Sequence, residues 1–366
     1  MRERAPAAVV QRLPGQRPLV VVSDGLIMAQ GAQLVHLAHG ATVGRPVASV
    51  DLAPIERRTL APRLLQRVLR SGLQCGVEAA AGRLTVASKR GLFGVDLTTG
   101  VAQQQPCAAR GRPLNLVHIE GVAGFTDQVC FGEYLSNAGR QPVSIWSDGG
   151  SGRWRDVFRF GDGQIEHIHS LVPDPARGVV WILAGNFGDA AGIWVARDDF
   201  AVVEPVVRGG QRFRAAAAFA VDEGLLYATD SQVEPNSIRM LHESGGRWRS
   251  DEVATLPGSS IHGCRLGDRM VFSTTVEPGL GTGFRPFDLI DPRLGPAIER
   301  RRSDLFIGNQ KRGFERIGSW AKDVWPMGLC GFGTISFPSG VQHGAALAAY
   351  GTGLRGFDGV TLFVSA

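Results

Sequence analysis

Long apolar runs are what this sequence most plainly lacks. No stretch of its 366 residues stays apolar over the about 20 residues that a membrane-spanning helix requires, so no helical span is expected. The opening MRERAPAAVVQRLPG begins with charge but carries no continuous apolar segment of signal-peptide length, and the expectation is a cytoplasmic protein. Cysteine is scarce: Cys75, Cys107, Cys130, Cys264 and Cys330 are odd in number and form no CxxC pair. That argues against a disulfide framework or a thiolate zinc site, and for reduced core residues. Sustained helical periodicity is almost absent. No nucleic-acid-binding motif accompanies the positive charge, and no nucleic-acid partner is expected.

What is there favours short strands. Glycine (49) and proline (20) together interrupt roughly one residue in five, while 44% of residues are hydrophobic and 20% charged, enough for a large folded core. The net charge is +5 and the pI about 9.2, mostly from scattered arginines with one basic stretch at Arg300, Arg301, Arg302, Lys311 and Arg312. A solvated surface explains most of this; attraction to an anionic polymer such as an acidic glycan is the other reading.

Internal periodicity decides the fold class. Trp181 in VVWILAGN, Tyr227 in LLYATD and Phe272 in MVFSTT fall 46 and 45 residues apart. Trp146 in VSIWSD and Trp194 in GIWVARD are separated by 48, and Trp154 and Trp248 by 94, two periods. A module of this length, made of short alternating strands, fits a four-stranded β-propeller blade. The expectation is an all-β propeller of six or seven blades forming one domain over 1–366, with blades near 19–53, 73–115, 116–162, 163–208, 209–257, 258–310 and 329–366. The closing strand GVTLFVSA belongs either to a last blade of its own or to one begun by PLVVVSDGLIMA, and these two readings make the count seven or six. Two segments break the period: 53–72, where Leu60, Leu64, Leu65, Val68 and Leu69 recur at helical spacing with arginines opposite, and 278–326, read as an irregular insertion.

The segment SIWSDGGSGRW, 144 to 154, is similar to the Asp-box of sialidase-like, BNR-repeat propellers, with weaker echoes in VARDDF and HESGGRW. The resemblance is strongest across 116–275. It implies a propeller whose Asp ties a hairpin while a Trp packs between strands, a device shared by hydrolases, lyases and binding modules. Sialidases resemble one another in an arginine triad and a Tyr/Glu pair; no triad is assignable at matching blade positions, and Glu133-Tyr134 is the only local echo of the pair.

Candidate site residues follow from laying the period over the chain. The openings of first strands read His118, then His167 and His169, then Arg212 and Arg214, then His262; the ends of second strands read Glu133 and Tyr134, Asn186, Asp230, Thr274 and Thr275. His118 to His167 is 49 residues and His167 to His262 is 95. Alternation puts His167 and His169 on one face of their strand. The expectation is a channel mouth with His167, His169, Glu133, Tyr134 and Asp230 as catalytic groups, and His118, Arg212, Arg214, His262 and Asn186 as substrate-binding groups. A wet channel whose polar residues only satisfy backbone groups is the bland alternative.

An arginine facing a carboxylate and a histidine moving a proton suit β-elimination of a uronate, with Tyr134 as second proton carrier. Glu133 with Asp230 would suit hydrolysis. His167, His169 and His262 could hold a divalent metal, although no organic cofactor is expected. GLGTGF, 279 to 284, does not lead a strand into a helix and is a poor phosphate cradle. DVWPMGLCGFGTISFPSG holds Trp325, Phe332 and Phe337, for core packing or sugar stacking. Two functions remain: an enzyme acting on an acidic saccharide or glycan precursor, and a non-catalytic propeller binding a saccharide or protein partner.

Overall fold

A computed structural model describes residues 2–3, 7–279 and 290–366. Seven four-stranded antiparallel sheets succeed one another along the chain as the blades of a β-propeller. Blade 1 is Arg17–Val22, Gly25–Gln30, Gln33–Ala38 and Arg45–Ser49, and blade 2 is Leu73–Ala80, Arg83–Ser88, Leu92–Asp96 and Val101–Gln105. In blade 3 the first strand is broken into Arg112–Pro113 and Val117–Ile119, and Gln128–Tyr134, Val143–Ser147 and Arg155–Phe160 follow. Blade 4 is Ile168–Asp174, Val179–Ala184, Gly192–Arg197 and Val202–Arg208; blade 5 is Ala215–Val221, Gly224–Thr229, Asn236–Ser244 and Arg247–Leu256. Blade 6 is His262–Leu266, Arg269–Ser273, Arg302–Asn309 and Gly313–Ala321.

Blade 7 is shared by the two ends of the chain. Thr334–Ser336, Ala346–Thr352 and Val360–Ser365 supply three strands, and Val9–Pro14 supplies the outermost. Of the two sequence readings the seven-blade one holds: GVTLFVSA closes onto VVQRLP, and PLVVVSDGLIMA forms the first two strands of a blade of its own. The expected irregular insertion at 278–326 is corrected, since it contains the third and fourth strands of blade 6. The length of chain between the second and third strands, 274–301, displaces these strands from the period, which hid them. GLGTGF lies, but for Gly279, outside the described residues.

The sequence pattern and the burial agree strand by strand. Second strands such as VVWILA in blade 4 are buried along their length because blades stack on both faces, whereas the outermost VVEPVVR alternates exposed and half-buried residues. Trp181, Tyr227 and Phe272 are all fully buried. Each interface between neighbouring blades has its own apolar cluster, for instance Trp181, Leu183 and Tyr227 between blades 4 and 5, so the core is a ring of seven clusters. At about 1.5–3 kcal/mol per large buried side chain, each interface contributes on a similar scale.

The expected SIWSDGGSGRW hairpin tie is formed. Asp148 Oδ1 accepts from the N–H groups of Val129 and Gly150, and Trp154 donates from Nε1 to Gln105 of blade 2 while packing 5.1 Å from Phe131. Loops between second and third strands, and links between blades, all emerge on one face, here called the upper face; the hairpins, Asp148 included, lie on the other.

The segment 53–72 is helical as expected, in two pieces, Pro54–Arg58 and Arg63–Leu69. Its orientation is the reverse of an ordinary amphipathic helix: Leu64, Leu65 and Val68 are exposed and Arg67 is buried. Arg67 donates to Cys330 O and to Asp323, and Arg63 grips Asp358 bidentately, so the segment is strapped across the upper face to blade 7 by its cations. In the nearby DVWPMGLCGFGTISFPSG stretch, Trp325 is exposed while Phe337 packs against the core.

Candidate functional site

All seven blades contribute to a central cavity of about 220 Å³. Its wall is mixed, with Leu19, Leu171 and Phe337 beside Gln74, Asn115 and His262 among the lining residues. Polar groups also concentrate at the upper rim, over blades 3 to 6. Tyr134 ends the second strand of blade 3; His167 precedes and His169 lies within the first strand of blade 4; Asn186 follows its second strand. Arg214 and Asp230 occupy the corresponding positions in blade 5, and Glu277 follows the second strand of blade 6. The backbone N–H of Asp230 donates to Arg214 O, which is how the sheet brings the two side chains together.

His167 and His169 share a face as the alternation predicts, and their Nε2 atoms are 2.8 Å apart. His167 Nδ1 lies 2.9 Å from Leu135 O and His169 Nδ1 lies 2.8 Å from Ala215 O. The Tyr134 ring packs 4.5 Å from the His167 ring and 6.1 Å from that of His169, and the Arg112 guanidinium lies over it at 5.8 Å from its centroid. Asn186 donates from Nδ2 to Glu166 and accepts at its main-chain carbonyl from Gln211.

Arg214 and Asp230 are both buried and their nearest charged atoms are 3.4 Å apart. Phe187 covers the guanidinium at 5.1 Å. Arg214 Nε and Nη1 and Asp230 Oδ1 have no hydrogen-bond partner. Burial pushes the Asp230 carboxyl up to about 7, against the pull of Arg214 and with help from Glu277. Burial, with the Asp230 charge, also raises the Tyr134 phenol and keeps it protonated. Burial takes His167 down to about 4 and holds His169 well below the usual imidazole range, so both imidazoles are neutral.

The structure therefore brings together Tyr134, His167, His169, Asn186, Arg214 and Asp230. It places the other candidates elsewhere. Glu133 points away from Tyr134, and its two oxygens accept from the main-chain N–H groups of Arg110 and Ser144. His118 lies toward the lower end of the broken first strand of blade 3, paired with Asp127. Arg212 is exposed, stacked on Phe213. His262 lines the central cavity, and burial with the nearby Arg17 charge takes it down to about 4. Among the described residues no group of three or more His, Cys, Asp or Glu side chains is placed to hold a metal, so His167, His169 and His262 do not form the metal triad the sequence offered. Thr274 donates nothing to the rim; its hydroxyl accepts from Asp304 N, while Thr275 and Ser259 hold Glu277.

Two contributors were missed in the sequence. Arg112 opens the true first strand of blade 3, ahead of the LVHIEG stretch taken for it, and Glu277 stands two residues beyond the threonines of FSTT. Arg112 also borders a second upper-face cavity of about 360 Å³ between blades 2 and 3, whose lining includes Lys89, Arg90 and Arg110. A groove of about 630 Å³ runs along blade 2 and the hairpin of blade 3, away from these groups.

Comparison with protein-family models and with curated proteins finds no match. Solved structures do match. An oligogalacturonate lyase from Vibrio parahaemolyticus superposes with a TM-score of 0.58 at 10% identity, over 99% of this chain and 98% of that one. YCF48 bound to a D1 peptide gives 0.55 at 10% identity over 100% and 97%, and a chain of the mitotic checkpoint complex gives 0.57 at 9% over 100% and 94%. At these identities the likeness establishes the propeller fold, which enzymes and binding modules share.

Proposed function

We propose that the upper rim over blades 3 to 5 takes an acidic saccharide and acts on it as a uronate lyase. The observation that carries this reading is the pair Arg214 and Asp230: a buried guanidinium with two N–H bearing atoms unpartnered, beside a buried carboxyl oxygen also without a partner. A buried cation that its own protein does not satisfy costs stability unless a ligand supplies the missing acceptors. A uronate carboxylate is an anion that can supply the acceptors these N–H groups lack.

The acid and base are then assigned by their surroundings. Asp230 titrates near neutrality and can accept the proton α to the substrate carboxylate. Tyr134, held protonated, can deliver one to the departing oxygen. In this elimination the C5–H bond breaks with its proton passing to Asp230 Oδ1. The electron pair forms the C4–C5 double bond, the C4–O bond breaks, and the leaving oxygen takes the Tyr134 phenolic proton. The Arg214 guanidinium balances the charge that grows on the carboxylate. The basic lining of the neighbouring cavity, Lys89, Arg90, Arg110 and Arg112, favours further acidic sugar units along the same face.

Hydrolysis is the less supported chemistry, because its second carboxyl, Glu133, already spends both oxygens on main-chain donors. The likeness to an oligogalacturonate lyase names the first substrate to try, since it adds nothing beyond the fold. The test is incubation with oligogalacturonate and other uronate oligomers, following the ultraviolet absorbance of unsaturated products and reducing ends together. Unsaturated product from wild type, lost in Asp230→Asn and in Arg214→Met, supports the lyase. Reducing ends without unsaturation would replace it with a hydrolase, and saturable binding without either product would leave a recognition module for a saccharide.

A further inference from the structure

The hydrogen-bond arithmetic of the two histidines does not close with the atoms of the chain. Carbonyl oxygens only accept, so His167 Nδ1, 2.9 Å from Leu135 O, and His169 Nδ1, 2.8 Å from Ala215 O, each carry the ring proton. In neutral rings both Nε2 atoms are then bare lone pairs, and these face each other at 2.8 Å. A third lone pair joins them. Asn186 commits its Nδ2 to Glu166 Oε2, which turns the amide oxygen toward the rings, within hydrogen-bonding reach of both as an acceptor. Three acceptors converge and none has a donor.

We propose that His167 Nε2, His169 Nε2 and Asn186 Oδ1 form a site for a divalent transition-metal cation with octahedral coordination. The geometry selects the cation class. With metal–nitrogen bonds of about 2.1 Å, a 2.8 Å separation subtends an angle of about 84° at the metal, near the right angle of neighbouring octahedral ligands, whereas a tetrahedral zinc would hold the nitrogens roughly 3.4 Å apart. The second layer is also that of a metal site: each imidazole is fixed in tautomer and orientation by a main-chain carbonyl, and the amide by a carboxylate. A proton shared between the two rings satisfies the nitrogens but leaves the Asn186 oxygen without a donor. Only two of the three ligands are histidines, so this is a different set from the three-histidine one that the structure does not assemble.

Three coordination positions remain for water or for oxygen ligands. The site stands on ligand geometry alone and does not depend on the saccharide reading.

The experiment is titration of chelator-stripped full-length protein with Mn²⁺, Co²⁺ and Zn²⁺, followed by calorimetry, by the Mn²⁺ electron paramagnetic resonance signal and by the visible spectrum of Co²⁺. The expected result is one equivalent of Mn²⁺ or Co²⁺, with the weak cobalt absorption of six-coordination and a rise in the thermal midpoint. Asn186→Ala should weaken affinity about 10- to 100-fold, as should His169→Gln, which retains bulk and a polar head. His118→Ala, far from the rings, should bind as wild type does. Absence of metal uptake by folded wild type overturns the site, as does uptake unchanged in a His167→Gln/His169→Gln variant. An intense tetrahedral cobalt spectrum would overturn the octahedral assignment.

Discussion

Arg214 and Asp230 stand 3.4 Å apart at the upper end of blade 5, both buried, yet neither satisfies the other's hydrogen-bonding capacity. The ion pair is oriented by the sheet, since strand pairing of Ala215 with Thr229 places the two residues side by side just past the ladder. Its incompleteness contrasts with the pair of Arg63 and Asp358, where both guanidinium edge and carboxylate are used, and is shared by Arg300 and Asp304.

The raised Asp230 carboxyl has opposite consequences for stability and for turnover. Unfolded, it ionises near about 3.9; folded, it keeps its proton up to about 7. Its contribution to stability is therefore complete below about pH 4 and is lost as pH rises through 7. Asp230→Asn, which cannot ionise, should gain thermal midpoint relative to wild type between pH 5 and pH 8, read by calorimetry across that range. Under the proposed chemistry, wild-type kcat/KM should instead rise with pH and level off above about 7, as the base ionises.

The readable part of the sequence was the part governed by packing. Trp181, Tyr227 and Phe272 recur because every second strand is sandwiched between neighbouring blades, and that constraint repeats with the blade. Spacing failed where a blade departs from the mean length. His118 matched His167 by number, but the break between Arg112–Pro113 and Val117–Ile119 slides it to the other end of its strand. The long separation between Ser273 and Arg302 likewise hid two strands of blade 6. The rim residues were partly legible because alternation fixes His167 and His169 on one face. What a side chain hydrogen-bonds cannot be read from period, and this is why Glu133 and Tyr134, adjacent in sequence, have unrelated roles.

Glu133→Gln separates those roles. The amide keeps one acceptor and turns a donor against a main-chain N–H, leaving a buried N–H unsatisfied at a cost of about 1–3 kcal/mol. Denaturant midpoints should fall accordingly, while activity per folded molecule stays at the wild-type level. A selective loss of turnover with unchanged stability would return Glu133 to the catalytic set.

Asp148→Ala should behave as a purely structural lesion. It removes the acceptor for Val129 N and Gly150 N on the face opposite the rim, so stability should fall by about 1–3 kcal/mol in chemical denaturation. Any saccharide binding measured at the rim should be unchanged.

Arg67 holds the inside-out helix down. Its side chain is 3% exposed and its partner Asp323 14%, and it also donates to Cys330 O, so Arg67→Ala leaves Asp323 paired with Lys322 but short of one cation, and the Cys330 carbonyl without its donor. Leaving such buried acceptors unsatisfied costs about 1–3 kcal/mol. The loss should be local: limited proteolysis should cut within 53–72 before the blades unfold.

The ring is closed by pairing the first full strand with the last. Val9, Gln11, Arg12, Leu13 and Pro14 lie opposite Val364, Phe363, Leu362, Thr361 and Val360, and Leu13 is buried in the cluster between blades 7 and 1 with Met28 and Ala348. Leu13→Ala should cost about 2–5 kcal/mol. Deleting residues 1–14 should do worse, because it exposes the edge of Val360–Ser365 as an open template for another chain, and aggregation on refolding is the expected result. Ala8 and Ser365 already exchange hydrogen bonds, so the two ends are adjacent. Moving residues 7–14 behind Ala366 through a short glycine-serine linker should therefore restore solubility and the wild-type thermal midpoint. Failure of this permuted chain, with the deletion variant remaining soluble and folded, would show that the closure contributes little to holding the seven blades together.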